Sequence, residues 1–171
     1  CADNQAGGAE LVRHLIDRGH TKIAGYFKSD DIQGHQRYSG FISELFRSGL
    51  IIPDENVFWY TTETKENLFD DPEEVLKRLG DNTAVVCYND EVAFGLVKCL
   101  LSAGRRVPED VAVVSFDNSN LSWISQVPIT SLSYEDRNIG RIAAQKLVDI
   151  LDGRDVSSEV LPWTFIQKES S

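Results

Sequence analysis

The chain has 171 residues, the size of one domain, and its apolar and charged fractions of 42% and 26% are those of a folded globular protein rather than a disordered one. Its formal net charge of −10 argues against DNA binding by this segment, because a phosphate backbone would be repelled. Its apolar runs are far shorter than the ~20 residues that cross a bilayer, so we expect no membrane span.

The pattern alternates between helix and strand as far as Ser115. Leu11 and Leu15 lie on one face of a first predicted helix, residues 7–18, which Gly19 ends. Further helices are predicted at residues 36–48, 72–79 and 91–103, and strands at 22–27, 56–60, 84–88 and 111–115. Near-continuous apolar strands separated by helices predict an α/β fold with a doubly wound parallel sheet that is covered on both faces.

The pattern changes after Pro128. A short polar segment at residues 130–133 precedes a long predicted helix at 137–151 and a final strand at 160–166. The long helix carries an apolar stripe that includes Ile142 and Leu147. Because an exposed stripe of this kind marks an interaction site, we expect it to pack on its own lobe or on a second copy of the chain.

Nucleophile and metal motifs are not found in the sequence. Cys1, Cys87 and Cys99 are odd in number and lack metal-ligand spacing, so we predict free thiols in a reducing compartment, with Cys87 buried in an apolar run. The three histidines are scattered, and no serine lies in a nucleophile elbow. We therefore predict no metal site, no cofactor and no catalytic residue.

Polar side chains follow three of the predicted strands. Arg37, Asn89 and Asp117 should converge, because the carboxyl ends of parallel strands meet at one edge of a sheet. Carboxylates accept hydrogen bonds and arginine donates them, which suits a ligand rich in hydroxyl groups. A plainer alternative exists for each residue: Arg37 pairs with Asp30 or Asp31, Asp117 caps a turn, and Asn89 caps a helix.

Three aromatic side chains are further candidates. Trp59, Trp123 and Tyr134 have rings that can stack on a sugar, although packing in a core or an interface is the more frequent use of a lone aromatic.

Several motifs in order resemble the effector-binding domain of the lactose/galactose-repressor family of bacterial transcription factors, a fold shared with periplasmic sugar-binding proteins. The landmarks are Asp3-Asn4 with Gly7-Gly8, residues 14–24, Arg37 with Gly40-Phe41, residues 88–91 with Ala93, Gly104 with residues 107–111, Phe116-Asp117-Asn118, and residues 128–132. Within the family, residues 27–34 and 61–66 resemble the arabinose-responsive repressors.

The resemblance implies a ligand site and a division of the chain. The implied ligand-binding residues are Lys28, Asp31, Arg37, Glu63, Asn89, Asp117 and Tyr134. Tyr134 departs from the family, where glutamine is frequent, and Phe116 stands where tyrosine commonly precedes the aspartate. Residues 1–133 would form the second lobe of a periplasmic-binding-protein-like type I domain, residues 134–157 a crossover helix that belongs with the first lobe, and residues 158–171 a final strand returning to the second lobe.

The resemblance further implies the sugar-sensing part of a cytoplasmic repressor that responds to L-arabinose or a related monosaccharide. We expect a homodimer that contacts operator DNA only through a headpiece preceding the equivalent of Cys1. Two other classes stay open at this point. One is a periplasmic solute-binding protein for a sugar transporter, and the other is an α/β hydrolase or transferase.

Overall fold

A computed structural model of the chain describes residues 2–51, 53–134 and 139–171. Its strands are β1 (Ile23–Lys28), β2 (Val57–Tyr60), β3 (Ala84–Cys87), β4 (Ala112–Phe116), β5 (Thr130–Ser133) and β6 (Thr164–Ile166). Its α-helices are α1 (Asn4–Asp17), α2 (Ile32–Arg47), α3 (Pro72–Leu79), α4 (Asp90–Ser102), α5 (Asn120–Ile124) and α6 (Ile139–Leu151). None of the helices in the described ranges is long and apolar enough to cross a membrane.

The strands form one sheet in the order β2-β1-β3-β4-β5-β6. The first five are parallel, with Gly25 of β1 opposite both Val57 and Val86, and β6 runs antiparallel to β5. The residues that follow β1 to β5 therefore meet at one edge, which we call the carboxyl edge. The predicted parallel α/β sheet is confirmed.

Two apolar layers sandwich the sheet. On one face, Leu11 and Leu15 of α1 and Phe41 of α2 pack on alternate residues of the strands. On the other face, Val75 of α3 and Leu96 of α4 do the same. Helices on both faces bury all of β3 and β4 and all of β1 except Lys28, which is why these three strands read as nearly continuous apolar runs.

Two glycines let α1 and α2 approach closely. A β-carbon on Gly40 would lie 1.9 Å from the carbonyl oxygen of Gln5, and one on Gly8 would lie 2.3 Å from the carbonyl oxygen of Arg37. Only hydrogen fits at either position. This contact brings Asn4, the first residue of α1, against the side chain of Arg37.

The element boundaries differ from the predicted ones at functionally important places. Helix α2 begins at Ile32, four residues earlier than predicted, because the side chain of Asp31 accepts the backbone N–H of Gly34 and caps it. Arg37 therefore lies in the second turn of α2 rather than at its start. The short helix α5 was not predicted, and β6 begins only at Thr164. Cys1 and the predicted start of the last helix at Arg137 lie outside the described residues.

Helix α6 buries none of its described side chains within this chain. Leu147 and Ile150 are each 58% exposed, and Leu151 is 77% exposed. The polar contacts of Lys146, with the carbonyl oxygen of Ser157 at 2.8 Å and with Glu159 at 3.2 Å, join the helix to the segment before β6. The apolar stripe of α6 thus does not pack back on the sheet.

Tyr26 of β1 lies in the core on the side of the sheet that α3 and α4 cover. Its hydroxyl is buried and has no hydrogen-bond partner among the described residues. We expect Tyr26→Phe to raise the free energy of unfolding by about 1 kcal/mol, because it removes an unsatisfied buried polar group and keeps the ring. Urea unfolding followed by circular dichroism measures the change. Tyr38→Phe, which alters a partly exposed tyrosine on α2, is the control and should be neutral. A destabilised Tyr26→Phe variant would mean that the hydroxyl has a partner.

Candidate functional site

Arg37 and Asp117 form an ion pair at the carboxyl edge. The Nη2 atom of Arg37 lies 3.0 Å from Oδ1 of Asp117, and the Arg37 side chain is 1% exposed. Its Nε donates to Oδ1 of Asn4 at 3.1 Å, and its Nη1 donates to the carbonyl oxygen of Tyr88. The alternative in which Arg37 pairs with Asp30 or Asp31 is wrong, since Lys28 pairs with those carboxylates instead.

Aromatic rings enclose the guanidinium of Arg37. Its central carbon lies 4.2 Å from the ring centre of Phe116, 4.8 Å from that of Tyr88 and 5.5 Å from that of Trp163. Cations are attracted to the faces of aromatic rings, and desolvation strengthens the effect. The surroundings therefore hold the guanidinium in one orientation, with Nη2 directed at Asp117.

Only one of the two carboxylate oxygens of Asp117 is engaged by the described residues. Its Oδ1 accepts from Arg37 and, at 3.4 Å, from the hydroxyl of Tyr134, while its Oδ2 makes no hydrogen bond to any residue that the structure describes. The side chain is 35% exposed. Asp117 and Asn118 have positive φ angles of 95° and 47°, a conformation that non-glycine residues rarely adopt. The turn that follows β4 therefore holds a rarely populated backbone conformation at the position of Asp117.

Asn89 supplies a complementary donor after the neighbouring strand β3. Its Oδ1 accepts the N–H of Val92 at 3.1 Å and caps α4, so the helix-cap alternative is confirmed. Its Nδ2 group has no hydrogen-bond partner in the described part of the chain. Because the cap orients the amide, the carboxyl edge offers a fixed donor at Asn89 and a fixed acceptor at Asp117.

Lys28, Asp30 and Asp31 form a second cluster at the end of β1. The Nζ atom of Lys28 lies 3.4 Å from Oδ1 of Asp30 and 3.3 Å from Oδ2 of Asp31. The backbone N–H of Thr62 donates to Asp30 and is the main cause that lowers its pKa to about 2. Burial works to raise the pKa of Asp31, but hydrogen bonds from Tyr88, Gly34 and Lys28 outweigh it and lower that pKa.

Tyr88 joins the two clusters. Its hydroxyl donates to Oδ2 of Asp31 at 2.7 Å, while its carbonyl oxygen accepts from Arg37. Burial and the carboxylate of Asp31 together raise the pKa of the Tyr88 hydroxyl, so it stays protonated and acts as a donor. The polar residues after β1, β3 and β4 therefore form one connected network.

The remaining predicted residues lie at the margins of this network. Glu63 is exposed in the turn after β2 and joins neither cluster. Tyr134 is partly buried and its ring stacks on that of Trp163 with the centres 4.0 Å apart. Burial, assisted by the charge of Asp117, raises the pKa of Tyr134 to about 12. Trp59 packs against Phe27, Tyr38 and His35, and Trp123 lies over Lys168.

Sequence reasoning missed Asn4, Tyr88 and Trp163 as parts of the site. Asn4 and Tyr88 belong to motifs that carried the family resemblance, so the signal was present but pointed to no role. No local signal marks Trp163, which precedes the antiparallel strand β6 and reaches the site only through the return of the chain. Its Nε1 donates to the carbonyl oxygen of Asp3 at 2.8 Å, next to Asn4.

The described residues contain no group of three or more His, Cys, Asp or Glu side chains that could hold a metal ion. The thiols of Cys87 and Cys99 are free and buried, and burial raises the pKa of both. The network at the carboxyl edge carries hydrogen-bond donors and acceptors, which are groups that suit a small polar molecule.

The chain is similar in sequence and fold to known proteins. The family model of the periplasmic binding protein-like domain matches residues 12–171. The arabinose metabolism transcriptional repressor of Halalkalibacterium halodurans is 36% identical over 155 residues, covering 88% of this chain and 40% of the relative. The HTH-type transcriptional regulator CelR of Thermobifida fusca is 34% identical over 152 residues, covering 88% of this chain and 44% of the relative.

A solved structure of a transcriptional regulator CelR-cellobiose complex matches with a TM-score of 0.88 and 31% identity, over 99% of this chain and 53% of that one. The chain spans less than half the length of the two curated relatives named above. The solved relatives also include a sugar-binding transcriptional regulator of the LacI family from Escherichia coli, with a TM-score of 0.87 and 25% identity. The chain therefore belongs to the periplasmic binding protein-like domain family, and its relatives are transcriptional regulators of the LacI type.

Proposed function

We propose that this chain forms the greater part of the sugar-binding module of a transcriptional repressor. The observation that carries the proposal is that two polar groups at the ends of adjacent strands, Oδ2 of Asp117 and the Nδ2 group of Asn89, have no hydrogen-bond partner among the described residues. A sugar hydroxyl both donates and accepts, so this pair matches adjacent hydroxyl groups. Arg37 fixes the acceptor, and the α4 cap fixes the donor.

L-arabinose is the effector that we favour. The curated relative with 36% identity is named for arabinose metabolism, and the residues at the end of β1 resemble that branch. All the cations of the network, Lys28 and Arg37, already face carboxylates. An uncharged monosaccharide suits such an edge better than a phosphorylated one, because no cation is left to balance a phosphate.

The division of the chain follows from the same proposal. Residues 1–133 and 158–171 form the second lobe, and residues 134–157 cross to a first lobe that makes the other wall of the sugar cleft. The exposed stripe of α6 supports this arrangement, since the helix leaves its apolar face without cover in this chain. A site between two lobes encloses most of its ligand.

The regulator would act as a homodimer in the cytoplasm, where the chromosome is, and would contact operator DNA through a separate headpiece. Sugar binding and DNA binding would be coupled by about 1–3 kcal/mol, and the coupling is reciprocal. We expect the network to bind the sugar without chemical change, and the regulator relatives favour a repressor over a transport protein or an enzyme.

Calorimetric titration of the full-length regulator with L-arabinose, D-xylose, D-galactose and cellobiose tests the proposal. We expect L-arabinose to bind most tightly and Asp117→Asn to weaken it at least about tenfold, because a hydrogen bond to a charged group contributes about 1.5–3 kcal/mol. Operator binding should weaken when the sugar is added.

Asp110→Asn is a matched control. Asp110 is paired with Arg106 at 2.6 Å and its side chain is 25% exposed, so it resembles Asp117 in charge and exposure, but it lies before β4, at the opposite end of that strand. The Asp110→Asn variant should bind sugar with the same affinity as the unaltered protein. If titration with none of the four sugars produces a heat of binding, the sugar-sensing function is refuted. If the Asp117→Asn and Asp110→Asn variants bind sugar equally well, the assignment of Asp117 to the binding site is refuted.

A further inference from the structure

Asp90 carries a buried carboxylate that the proposed site does not use. It is the first residue of α4 and is 1% exposed, and no cation pairs with it in the described ranges. Its Oδ1 accepts from the hydroxyl of Ser131 at 2.7 Å and from that of Ser115, and its Oδ2 accepts the backbone N–H of Ser119 at 2.5 Å. A buried charge without a counter-ion persists only where such hydrogen bonds replace its lost water.

The hydrogen bonds of Asp90 lead to the turn that follows β4. Because the Ser131 hydroxyl donates its hydrogen bond to Asp90, its oxygen is left to accept one, and it accepts the backbone N–H of Asn118 at 3.0 Å. The carboxylate thus holds two consecutive backbone amides, Ser119 directly and Asn118 through Ser131.

These two amides come immediately after Asp117. Asp117 and Asn118 both have left-handed backbone angles, which non-glycine residues keep only where the surroundings enforce them. On the other side, the N–H of Asp117 donates to the carbonyl oxygen of Leu132 at 2.8 Å. Two other charged side chains contact this turn, Arg37 at the carboxylate of Asp117 and Lys168 at Oδ1 of Asn118, 2.7 Å away. Asp90 differs from them because its hydrogen bonds reach the backbone amides of the turn and because it is the first residue of α4, beside Asn89.

We propose that Asp90 is a positioning residue for the ligand site. It couples the start of α4, which carries Asn89, to the turn that carries Asp117, and so sets the spacing between the donor and the acceptor offered to the sugar. The effect on sugar affinity rests on the proposed function, whereas the effect on the turn does not.

Asp90→Asn tests the inference in the full-length regulator, because it keeps the size of the side chain but presents an NH2 group either to the N–H of Ser119 or to the hydroxyls of Ser115 and Ser131. Glu44→Gln is the control. Glu44 is also a buried carboxylate, 5% exposed, but it lies in the last turn of α2, away from the carboxyl edge, and Arg13 and Arg47 pair with it.

The first readout is amide hydrogen exchange at Asn118 and Ser119. We expect Asp90→Asn to speed exchange at both by about tenfold, while Glu44→Gln leaves both unchanged. Ser131→Ala removes only the relay and should speed exchange at Asn118 more than at Ser119. If Asp90→Asn does not fold, Ser131→Ala alone decides. Unchanged exchange at Asn118 in Ser131→Ala would overturn the inference.

The second readout is a double-mutant cycle with L-arabinose as the probe. If Asp90 acts through Asp117, then Asp90→Asn should weaken sugar binding about tenfold when Asp117 is present. The same substitution should weaken it less than about twofold in the Asp117→Asn background. Full additivity would overturn the inference, as would an equal loss in Glu44→Gln. If the unaltered protein binds no sugar, the proposed function fails, and the exchange rates still decide whether Asp90 holds the turn.

Discussion

Replacing Arg37 by alanine should lower the free energy of unfolding of the chain by about 3–5 kcal/mol, the range found when a large buried side chain is truncated to alanine. Arg37 fills the space between Phe116, Tyr88 and Trp163, and its loss leaves a cavity as well as unsatisfied acceptors. The helix contact formed by Asn4 should loosen with it, because Arg37 Nε donates to that side chain. Guanidinium unfolding followed by fluorescence measures the change.

Arg47→Ala is the matched control for this experiment. Arg47 lies on the same helix and also pairs with a carboxylate, that of Glu44 at 2.7 Å, but its side chain is 67% exposed. Exposed ion pairs contribute about 0–1 kcal/mol, so this variant should be nearly neutral. Similar small losses in both variants would show that Arg37 is not a structural centre of the site. The expected loss also means that sugar binding by Arg37→Ala must be measured at a temperature where the variant remains folded.

The isolated chain should associate with itself through the apolar stripe of α6. Leaving about 300 Å² of apolar surface in water forgoes about 7 kcal/mol of burial, which is comparable with the stability of a whole domain. In the proposed division of the chain a first lobe covers the stripe, and in the isolated chain we expect a second copy to take that place, with α6 packing against α6 across a two-fold axis. Sedimentation velocity over a range of concentrations measures the association.

Leu147→Asp should weaken this association at least about tenfold, because it removes a buried leucine and adds a charge at the contact. Gln145→Asp adds the same charge on the polar side of α6 and should leave the association unchanged. A monomer at every concentration in the unaltered chain and in both variants would show that the stripe needs no partner.

The order of helices and strands was predictable because it rests on local signals. Apolar runs separated by helical stripes predicted the parallel sheet, and the structure confirms it with helices on both faces. The boundaries were less accurate where a side chain caps a helix. Asp31 starts α2 four residues before the predicted start, and the prediction had instead considered it as a partner for Arg37.

The convergence of Arg37, Asn89 and Asp117 was predictable for the same kind of reason. Each follows or lies beyond a parallel strand, and parallel strands place their carboxyl ends together. The sequence could not show which carboxylate each cation chooses. Lys28 and Arg37 both lie within reach of acidic residues in the chain, and only packing assigns Asp30 and Asp31 to the first and Asp117 to the second.

What the sequence determined by itself, then, was the fold class, the edge where the site lies and its polar character, because these follow from hydrophobic periodicity and from residue type. Tertiary structure decided the rest. Two glycines allow α1 to pack closely on α2, which brings Asn4 against Arg37. The last part of the chain returns to the sheet and places Trp163 beside the guanidinium. Asp90 holds the backbone amides that follow Asp117, one directly and one through Ser131. Each of these contacts joins residues far apart in the chain, and their identity depends on close packing in three dimensions rather than on any local pattern.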